Sequence, residues 1–464
     1  MRGGDRPGLL RELRRVVPEE RVVASREART LYAYDATLAE SMPDVVVYVR
    51  SAAEVANVLK LAGERAVPVV PRGAGTGLSG GSVPARGGIA LVLAGMNLIL
   101  EIDRGNMVAV CEPGVVTGDL QEAVERCGLF YPPDPASLKA CTLGGNVAEN
   151  AGGPHGLKYG VTGDYVLGLD VVLASGELVR LGGRQLKNVT GYNLVQFFVG
   201  SEGTLGVITG ITLRLLPLPA ARRTMACSFA ELDQAAAAVT AVLSSGVIPA
   251  TLELMDKSCI NCVEDYLHLG LDRQVEAMLL IEVDGMPEAV RAEIATIDRV
   301  CRQNGAAHLQ VAVDAAAAAT LWRARRAVSP AIARVRPTRI GEDICVPRSA
   351  LGAMVREIRR IAGHFALEIV IFGHAGDGNL HPNILCDRRD RAGMARVEEA
   401  AAAIFAACVR LGGTLSGEHG IGLSKKPFLS LDLAPPAIRL MQDLKRTMDP
   451  AGILNPGKIF SDRD

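Results

Sequence analysis

The sequence predicts an α+β protein with more than one domain. A strand, a helix and a second strand at 45–70 run directly into a glycine-rich loop. Pro217 and Pro219 end this first block. From about 222 onwards strands and helices alternate without glycine-rich loops, a pattern typical of a compact module with helices on one sheet face. We therefore place a domain boundary near residue 220.

Composition excludes several classes of protein. The chain has 464 residues with 50 basic and 51 acidic side chains and no long charged block, which disfavours a nucleic-acid partner. The N-terminal segment has no apolar core, and the alanine-rich segments are too short or too interrupted to span a bilayer. Ten cysteines without a secretory signal indicate a reducing compartment, and we read Cys259 and Cys262 as ordinary helix-face residues. We expect a cytoplasmic protein, with peripheral membrane attachment as an alternative.

The elements follow from apolar periodicity and from caps. Ser51 and Glu54 form a capping box, so a helix is predicted to begin there and to end near Ala62. Other predicted helices are 8–40, 117–128, 231–244, 256–269, 287–304, 315–335, 349–363 and 391–411. Predicted strands are 45–49, 67–70, 89–93, 98–102, 107–111, 165–173, 177–181, 207–216, 224–229, 250–255, 278–283, 307–313, 342–346 and 367–372.

Residues 71–82, here called the glycine loop, are the first candidate binding feature. Glycines at 73, 75, 77, 80 and 81 expose backbone N–H groups that can surround an anion, most plausibly a phosphate. The spacing Gly75-x-Gly77-x-x-Gly80 matches a dinucleotide fingerprint, with Glu101 as its acid. However, the residues after the loop cannot form the helix that this fingerprint requires. We predict a phosphate-binding loop of another fold, with a plain glycine-rich turn as the alternative. Two further small-residue stretches, at 141–153 and 200–206, are typical of backbone lying flat against a ligand.

A predicted β-hairpin at 368–385 supplies a candidate metal site. Asp377-Gly378 is a strong two-residue turn signal, and such a turn would place His374 directly opposite His381, with Asn383 on the same face. Glu418 would complete a set of two histidines and one carboxylate, suited to zinc, iron or manganese, while His419 is available as a base. The alternative is that these are hydrogen-bonded core histidines.

Arginines on a predicted helix form a candidate substrate clamp. Arg325 and Arg326 follow Trp322, the only tryptophan of the chain, and an inward-facing arginine could bind a carboxylate through two parallel hydrogen bonds. Ser329 would lie on the same helix face as Arg325. The alternative is solvated surface charge.

With these motifs in this order, the sequence resembles the flavin-linked 2-hydroxy-acid oxidoreductases, which include the FAD subunit of bacterial glycolate oxidase, D-lactate dehydrogenase and D-2-hydroxyglutarate dehydrogenase. The resemblance extends over nearly the whole chain, at 71–82, 132–135, 142–153, 200–208, 373–383, 416–422 and 454–458. It implies a two-subdomain FAD-binding domain of the vanillyl-alcohol-oxidase (PCMH) type at 1–220. It also implies a ferredoxin-like substrate cap at 221–411, and a C-terminal segment at 412–464 that returns to the FAD domain.

The resemblance also assigns site residues. His374, His381 and Glu418 match the metal ligands of the family, His419 its base, and Arg325 and Asn383 its substrate contacts. The residues assigned to FAD are Pro71, Arg72, Gly73, Ala74, Gly75, Thr76, Gly77, Ser79, Gly80, Pro133, Asp134, Thr142, Gly145, Asn146, Asn150, Gly152, Glu202, Gly206, Ile208 and Asn455. Because no histidine lies between 69 and 88, we expect FAD to be held non-covalently.

The implied reaction is oxidation of a small 2-hydroxy acid, glycolate or D-lactate, to the 2-oxo acid. The metal would acidify the substrate hydroxyl, His419 would remove its proton, and hydride would pass to flavin N5. Some relatives carry a lysine about fifteen residues after the arginine, where this chain has Arg339-Ile340-Gly341, so 2-hydroxyglutarate is the weaker alternative. An ether-lipid synthase of the same flavin family and a non-catalytic flavin-binding subunit are the two competing hypotheses of function.

The chain lacks a cysteine set for an iron–sulfur cluster. Electrons would therefore leave to a quinone, a cytochrome, an electron-transfer flavoprotein or an iron–sulfur partner subunit. The chain could form a homodimer or a hetero-complex with any of these electron acceptors.

Overall fold

The computed structural model describes residues 6–461. Its strands are β1 (Val22–Val23), β2 (Val45–Tyr48), β3 (Val69–Arg72), β4 (Ile89–Val92), β5 (Ile99–Asp103), β6 (Val108–Cys111), β7 (Leu129–Phe130), β8 (Val166–Val172), β9 (Leu178–Gly182), β10 (Val207–Arg214), β11 (Leu216–Pro217), β12 (Ala221–Phe229), β13 (Thr251–Asp256), β14 (Ala277–Gly285), β15 (Ala306–Val311), β16 (Thr338–Gly341), β17 (Ile344–Cys345), β18 (Glu368–His374) and β19 (Asn379–Cys386). Its α-helices are α1 (Arg6–Val16), α2 (Arg26–Leu31), α3 (Ala52–Glu64), α4 (Thr117–Glu125), α5 (Leu143–Glu149), α6 (Gly156–Tyr159), α7 (Leu194–Phe198), α8 (Leu232–Ser244), α9 (Lys257–Leu267), α10 (Pro287–Gln303), α11 (Ala315–Arg326), α12 (Val328–Ile332), α13 (Leu351–Phe365), α14 (Arg391–Arg410), α15 (Leu429–Asp432) and α16 (Pro435–Met448).

The chain divides into two compact units. Unit 1 contains residues 6–152, Val161–Leu218 and residues 418–461, whereas unit 2 contains Gly153–Gly160 and Pro219–Gly417. The boundary near residue 218 coincides with the proline-rich end of β11.

Unit 1 is built on two main sheets. In the first, with strand order β1-β2-β4-β3, strand β4 pairs in parallel with both β2 and β3. Helix α3 connects β2 to β3, and its buried face (Val55, Val58, Leu59) packs into the same core as Ile89 and Leu91. The second sheet, with order β5-β6-β10-β8-β9, is antiparallel. This arrangement places the glycine loop at the carboxyl end of a buried parallel strand.

Unit 2 is built on a long antiparallel sheet with order β15-β12-β14-β13-β18-β19-β16, and β17 also pairs with β19. One face packs on α9, α11 and α12 through a core that includes Met255, Leu280 and Phe372. On the other face, Cys227 of β12 hydrogen-bonds to Cys301 of α10. Helices therefore cover both faces, and the expectation of a single covered face is wrong. The reason is visible in β13, where every residue is buried.

Several predicted elements differ from the observed ones. The predicted helix 8–40 is interrupted after Val16, where Pro18 precedes a single 3₁₀ turn and β1. Residues 143–149, predicted to be flat backbone, form α5. The predicted helix 315–335 is divided at Ala327 into α11 and α12. Among residues 6–461, no helix combines the length and the apolar character needed to cross a membrane.

Candidate active site

Arg72, at the end of β3, anchors the glycine loop. It is buried, its Nη1 donates to the Tyr34 carbonyl at 2.7 Å, and its guanidinium lies 5.2 Å from the centroid of the Tyr32 ring. Gly75 has a φ of +73°, and a Cβ at this position would fall less than 3.0 Å from the Arg72 guanidinium. Glycine at 75 is therefore required both by its left-handed backbone and by the anchor that holds the loop.

The glycine loop forms one wall of a cavity of about 220 Å³ in unit 1. Gly73 lies against Thr142, and a Cβ at Gly73 would fall less than 3.0 Å from Thr142 Oγ1. That hydroxyl is buried and has no hydrogen-bond partner among residues 6–461. Because buried polar groups are almost always hydrogen-bonded, an orphaned hydroxyl beside a glycine-lined cavity fits a bound ligand with polar groups.

Most residues predicted to bind FAD line this cavity. They are Pro71, Arg72, Gly73, Ala74, Gly75, Thr76, Gly77, Thr142, Gly145, Asn146, Glu202, Gly206 and Ile208. Ser79, Gly80, Pro133, Asp134, Asn150, Gly152 and Asn455 lie outside the lining. The contacts of Asn455 show what it does in this structure, because its Nδ2 donates to the carbonyls of Gly81 and Glu202 at 2.8 and 2.7 Å. It therefore ties the glycine loop to the 200–206 segment.

Glu149, which was not among the predicted site residues, also lines the cavity. Burial raises the pKa of Glu149 well above its ordinary value, and the nearby carboxylates of Glu202 and Asp35 raise it further. Its Oε1 accepts a hydrogen bond from Ser79 Oγ at 3.4 Å. Burial also raises the pKa of Glu202, although the N–H groups of residues 421 and 422 stabilise its carboxylate at 2.8 Å each. The sequence offers one signal for Glu149, an acid in a run of small residues.

Glu418 and His419 belong to unit 1 and line the same cavity as the glycine loop. Their side chains are 15% and 17% exposed, and His419 Nε2 lies 3.8 Å from Glu418 Oε1. A Cβ at Gly152 would lie 2.9 Å from Glu418 Oε2. The predicted base is therefore in the wall of the predicted cofactor cavity.

In unit 2, the β18–β19 hairpin carries His374, His381 and Asn383. The predicted register is wrong, because His374 pairs with Asn379 and His381 pairs with Phe372. The connection contains the four residues 375–378 rather than two. Since this shifts the register by two positions, the side chains keep their faces. His374 and His381 are diagonal neighbours on one face, with ring centroids 5.0 Å apart and ligand nitrogens within 4.8 Å of each other.

A fully buried carboxylate lies next to the Nδ1 atom of each of these histidines, and neither carboxylate was among the predicted site residues. Glu253 of β13 pairs with His374, and its Oε1 lies 2.6 Å from His374 Nδ1. Burial alone would raise the pKa of Glu253, but Arg325 and His374 outweigh it and hold that pKa below its ordinary value. Asp343 lies 3.6 Å from His381 Nδ1. Carboxylates behind imidazoles are typical partners of metal-binding histidines.

Arg325 packs on the same face of unit 2. Its Nε and Nη2 both lie 2.6 Å from Glu253 Oε2, and its guanidinium lies 4.9 Å from the centroid of the Phe372 ring. Arg325 is therefore an inward-facing residue, whereas Arg326 is exposed over the Trp322 ring. Ser329 is exposed and lies in α12, so it does not share a continuous helix face with Arg325.

Comparisons with known proteins identify the family. The family described as "FAD linked oxidases, C-terminal domain" matches residues 218–459, and the "FAD binding domain" family matches residues 43–182. The chain is 47% identical to the glycolate oxidase subunit GlcD of Bacillus subtilis (strain 168), over 94% of this chain and 93% of that protein. It is 35% identical to the D-lactate dehydrogenase of Anaerostipes hadrus, over 98% of this chain and 97% of that protein.

The fold also matches solved structures. p-Cresol methylhydroxylase with bound substrate superposes with a TM-score of 0.81 at 17% identity, over 99% of this chain and 97% of that chain. The α+β architecture therefore contains a PCMH-type FAD-binding fold. With its glycine-lined cavity in the matched FAD-binding region, this chain belongs to the FAD-linked oxidase family and is an FAD-dependent oxidoreductase.

Proposed function

We propose that the chain oxidises a small 2-hydroxy acid, glycolate or D-lactate, to the corresponding 2-oxo acid, using non-covalently bound FAD and a divalent metal ion. One observation carries the proposal: the candidate base His419 and the glycine loop line one cavity. The names of two relatives, a glycolate oxidase subunit and a D-lactate dehydrogenase, support the substrate class.

The cavity residues fit FAD. The glycine loop offers backbone N–H groups for the pyrophosphate, and the Thr142 hydroxyl offers a buried donor that its own chain does not engage. Bound FAD supplies the hydride acceptor, at flavin N5. No histidine occurs between residues 69 and 88, so the loop has no imidazole for a covalent flavin bond.

The donor set of the hairpin fits a divalent cation such as zinc, iron or manganese. His374 and His381 offer nitrogens within 4.8 Å of each other, and each imidazole has a buried carboxylate behind it. We propose Glu418 as the third ligand. The preceding residue, Gly417, donates its N–H to Asp343 Oδ2 at 2.9 Å, which fixes the chain just before Glu418. A bound cation lowers the pKa of a coordinated hydroxyl.

In the proposed reaction the substrate loses two hydrogens. His419 would accept the hydroxyl proton, and FAD, when bound, would supply the acceptor for the hydrogen that leaves the α-carbon with its electron pair, so that the C–O single bond becomes a carbonyl. Arg325 and Asn383 are proposed to orient the substrate carboxylate, and the inward position of Arg325 supports this role. Ser329, which is exposed, is the weakest of the proposed substrate contacts.

The two electrons removed from the substrate require a further acceptor. A relative named as a subunit of glycolate oxidase supports a hetero-complex in which another subunit accepts them. We propose that the acceptor is such a partner, with a quinone, a cytochrome or an electron-transfer flavoprotein as the other acceptors to be tried.

The test is anaerobic mixing of the purified yellow protein with glycolate, D-lactate and D-2-hydroxyglutarate, together with metal analysis. Bleaching of the flavin by glycolate or D-lactate supports the proposal. Colour without bleaching by any of these acids would favour a non-catalytic flavin-binding subunit. His419→Ala should abolish bleaching while FAD is retained. His308→Ala, which removes an exposed histidine of β15, should leave bleaching unchanged. Undiminished bleaching in His419→Ala contradicts the assignment of the base.

A further inference from the structure

We propose that Glu253 is a positioning residue that fixes both the metal ligand His374 and the substrate-binding Arg325. The inference rests on the proposed function, which supplies the metal ion bound by His374 and the substrate bound by Arg325. It goes beyond that function because Glu253 lies some 120 residues before the hairpin and belongs to none of the motifs that point to the reaction.

Each carboxylate oxygen of Glu253 has a different partner. Oε1 lies 2.6 Å from His374 Nδ1, and Oε2 accepts a hydrogen bond from Arg325 Nε at 2.6 Å and forms an ion pair with Arg325 Nη2 at 2.6 Å. The Glu253 side chain has no exposed surface. Register explains the arrangement, because Glu253 of β13 and His374 of β18 are paired residues with side chains on the same face. The carboxylate is therefore held from both ends and cannot turn away into solvent.

The contact to His374 determines which nitrogen of the imidazole carries a proton. A carboxylate can only accept, so the hydrogen of a neutral imidazole is placed on Nδ1 and Nε2 keeps its lone pair. A bound metal ion would use that lone pair. Glu253 thus selects the tautomer of His374 that can act as a ligand, and it holds the plane of the ring.

The contact to Arg325 determines which edge of the guanidinium remains for substrate. Nε and Nη2 are committed to Glu253, and the stacking on Phe372 fixes the plane of the group. Nη1 is left on the edge away from Glu253. A planar guanidinium held in this way presents its remaining donors to a carboxylate in a fixed direction.

The neighbouring strand offers a matched control. Glu282 of β14 is also buried and lies on the same face of the sheet, paired with Thr251. It accepts from two uncharged donors, Thr224 Oγ1 at 2.6 Å and Trp322 Nε1 at 2.7 Å. Its replacement therefore removes a buried carboxylate of the same sheet without touching the histidine or Arg325.

The experiment compares Glu253→Gln and Glu282→Gln in the full-length FAD-loaded protein. Glutamine keeps the size of the side chain, but its amide can donate to His374 Nδ1 and place the imidazole proton on Nε2. We expect Glu253→Gln to weaken binding of Zn²⁺ or Mn²⁺ by roughly 10- to 100-fold in a chelator competition and to raise KM more than it lowers kcat. Glu282→Gln should change the metal affinity by less than about threefold.

Long-range ¹H–¹⁵N NMR of histidine-labelled protein without metal reports which nitrogen of His374 carries the proton. This second readout does not depend on activity or on a change in folding. The wild type should show the Nδ1–H tautomer for His374, and Glu253→Gln should lose it. An Nε2–H tautomer in the wild type, or equal metal affinities of the wild type and Glu253→Gln, would overturn the inference. A wild type that binds no metal but shows the Nδ1–H tautomer would instead count against metal assistance in the proposed function.

Discussion

Replacing Gly73 by alanine tests whether the glycine loop is shaped by contact with Thr142. The added Cβ would fall less than 3.0 Å from Thr142 Oγ1, closer than real Cβ atoms approach a neighbour. To relieve this clash, either the loop must move towards the cavity that FAD would occupy, or the Thr142 side chain must adopt another rotamer. Overpacking of this kind costs about 1–3 kcal/mol. We therefore expect the FAD dissociation constant to rise roughly 5- to 150-fold, since each 1.4 kcal/mol is tenfold.

The assay is titration of apoprotein with FAD, followed by the quenching of flavin fluorescence. Gly63→Ala is the control in the same unit, because its Cβ would lie 3.9 Å from the Ala174 carbonyl oxygen, an ordinary contact, and Gly63 does not line the cavity. Thr142→Ala removes the clash, because the nearest remaining atom would then be the Cβ of residue 142 at 3.4 Å. Since the Thr142 hydroxyl is itself a proposed FAD contact, Thr142→Ala is the reference, and adding Gly73→Ala to it should change the FAD dissociation constant by less than about twofold. A Gly73→Ala protein within about twofold of the wild type, or a double mutant that is weaker than Thr142→Ala by the factor that separates Gly73→Ala from the wild type, would refute the reasoning.

Three further predictions concern buried polar groups. Burial raises the pKa of Asp256 to about 7 from 3.8. The stability that its protonated form contributes is therefore complete below about pH 4 and is lost as the pH rises through about 7. Asn at this position can still cap α9, so in urea unfolding the free energy of unfolding of Asp256→Asn should rise relative to that of the wild type by about 3 kcal/mol between pH 5 and pH 8. Glu149 also has a raised pKa, so the stability that its protonated form contributes is lost as the pH rises above the ordinary carboxyl range. Glu149→Gln, which resembles the protonated acid, should flatten this fall in thermal midpoint. Asn455→Ala leaves two carbonyls unsatisfied, those of Gly81 and Glu202, and should lower the unfolding free energy by about 2–4 kcal/mol in urea unfolding.

Each of these has a result that would contradict it. For Asp256→Asn it is a pH profile parallel to that of the wild type, and for Glu149→Gln it is a steeper fall of the thermal midpoint with rising pH. For Asn455→Ala it is an unchanged urea midpoint. Asp256 belongs to unit 2, whereas Glu149 and Asn455 belong to unit 1 and both neighbour Glu202, so the result for Asp256→Asn is independent of the other two.

Much of the architecture could be predicted from local pattern. The parallel strand before the glycine loop and the capped helix α3 depend on neighbouring residues, and short-range physics determines them. The helix predicted over 8–40 failed because apolar spacing was given more weight than Pro18. The failure at α5 has a different cause. Small residues permit flat backbone, but Leu143 and Val147 are buried on one side of a helix.

In the β18–β19 hairpin, the face of each side chain could be predicted from the sequence, but the pairing register could not. Alternation along β18 and β19 determines which side chains share a face, and this survives a two-residue error in register. Direct opposition of His374 and His381 required the correct loop length. The turn signal at Asp377-Gly378 did not reveal that length, because the connection also includes Ala375 and Gly376.

The sequence by itself determined the chemistry-bearing motifs, their order and the family they indicate, because glycine spacing, hairpin histidines and a flanked acid–histidine pair are local patterns. Only the tertiary structure decided which buried residues contact these motifs. Glu253 reaches His374 through strand pairing across 121 residues and Arg325 through the packing of α11 across 72 residues, and Glu149 meets Glu202 only when two separate glycine-rich segments fold against each other. Burial and long-range pairing set the charge state and direction of these groups, and neither can be read from residues adjacent in the chain.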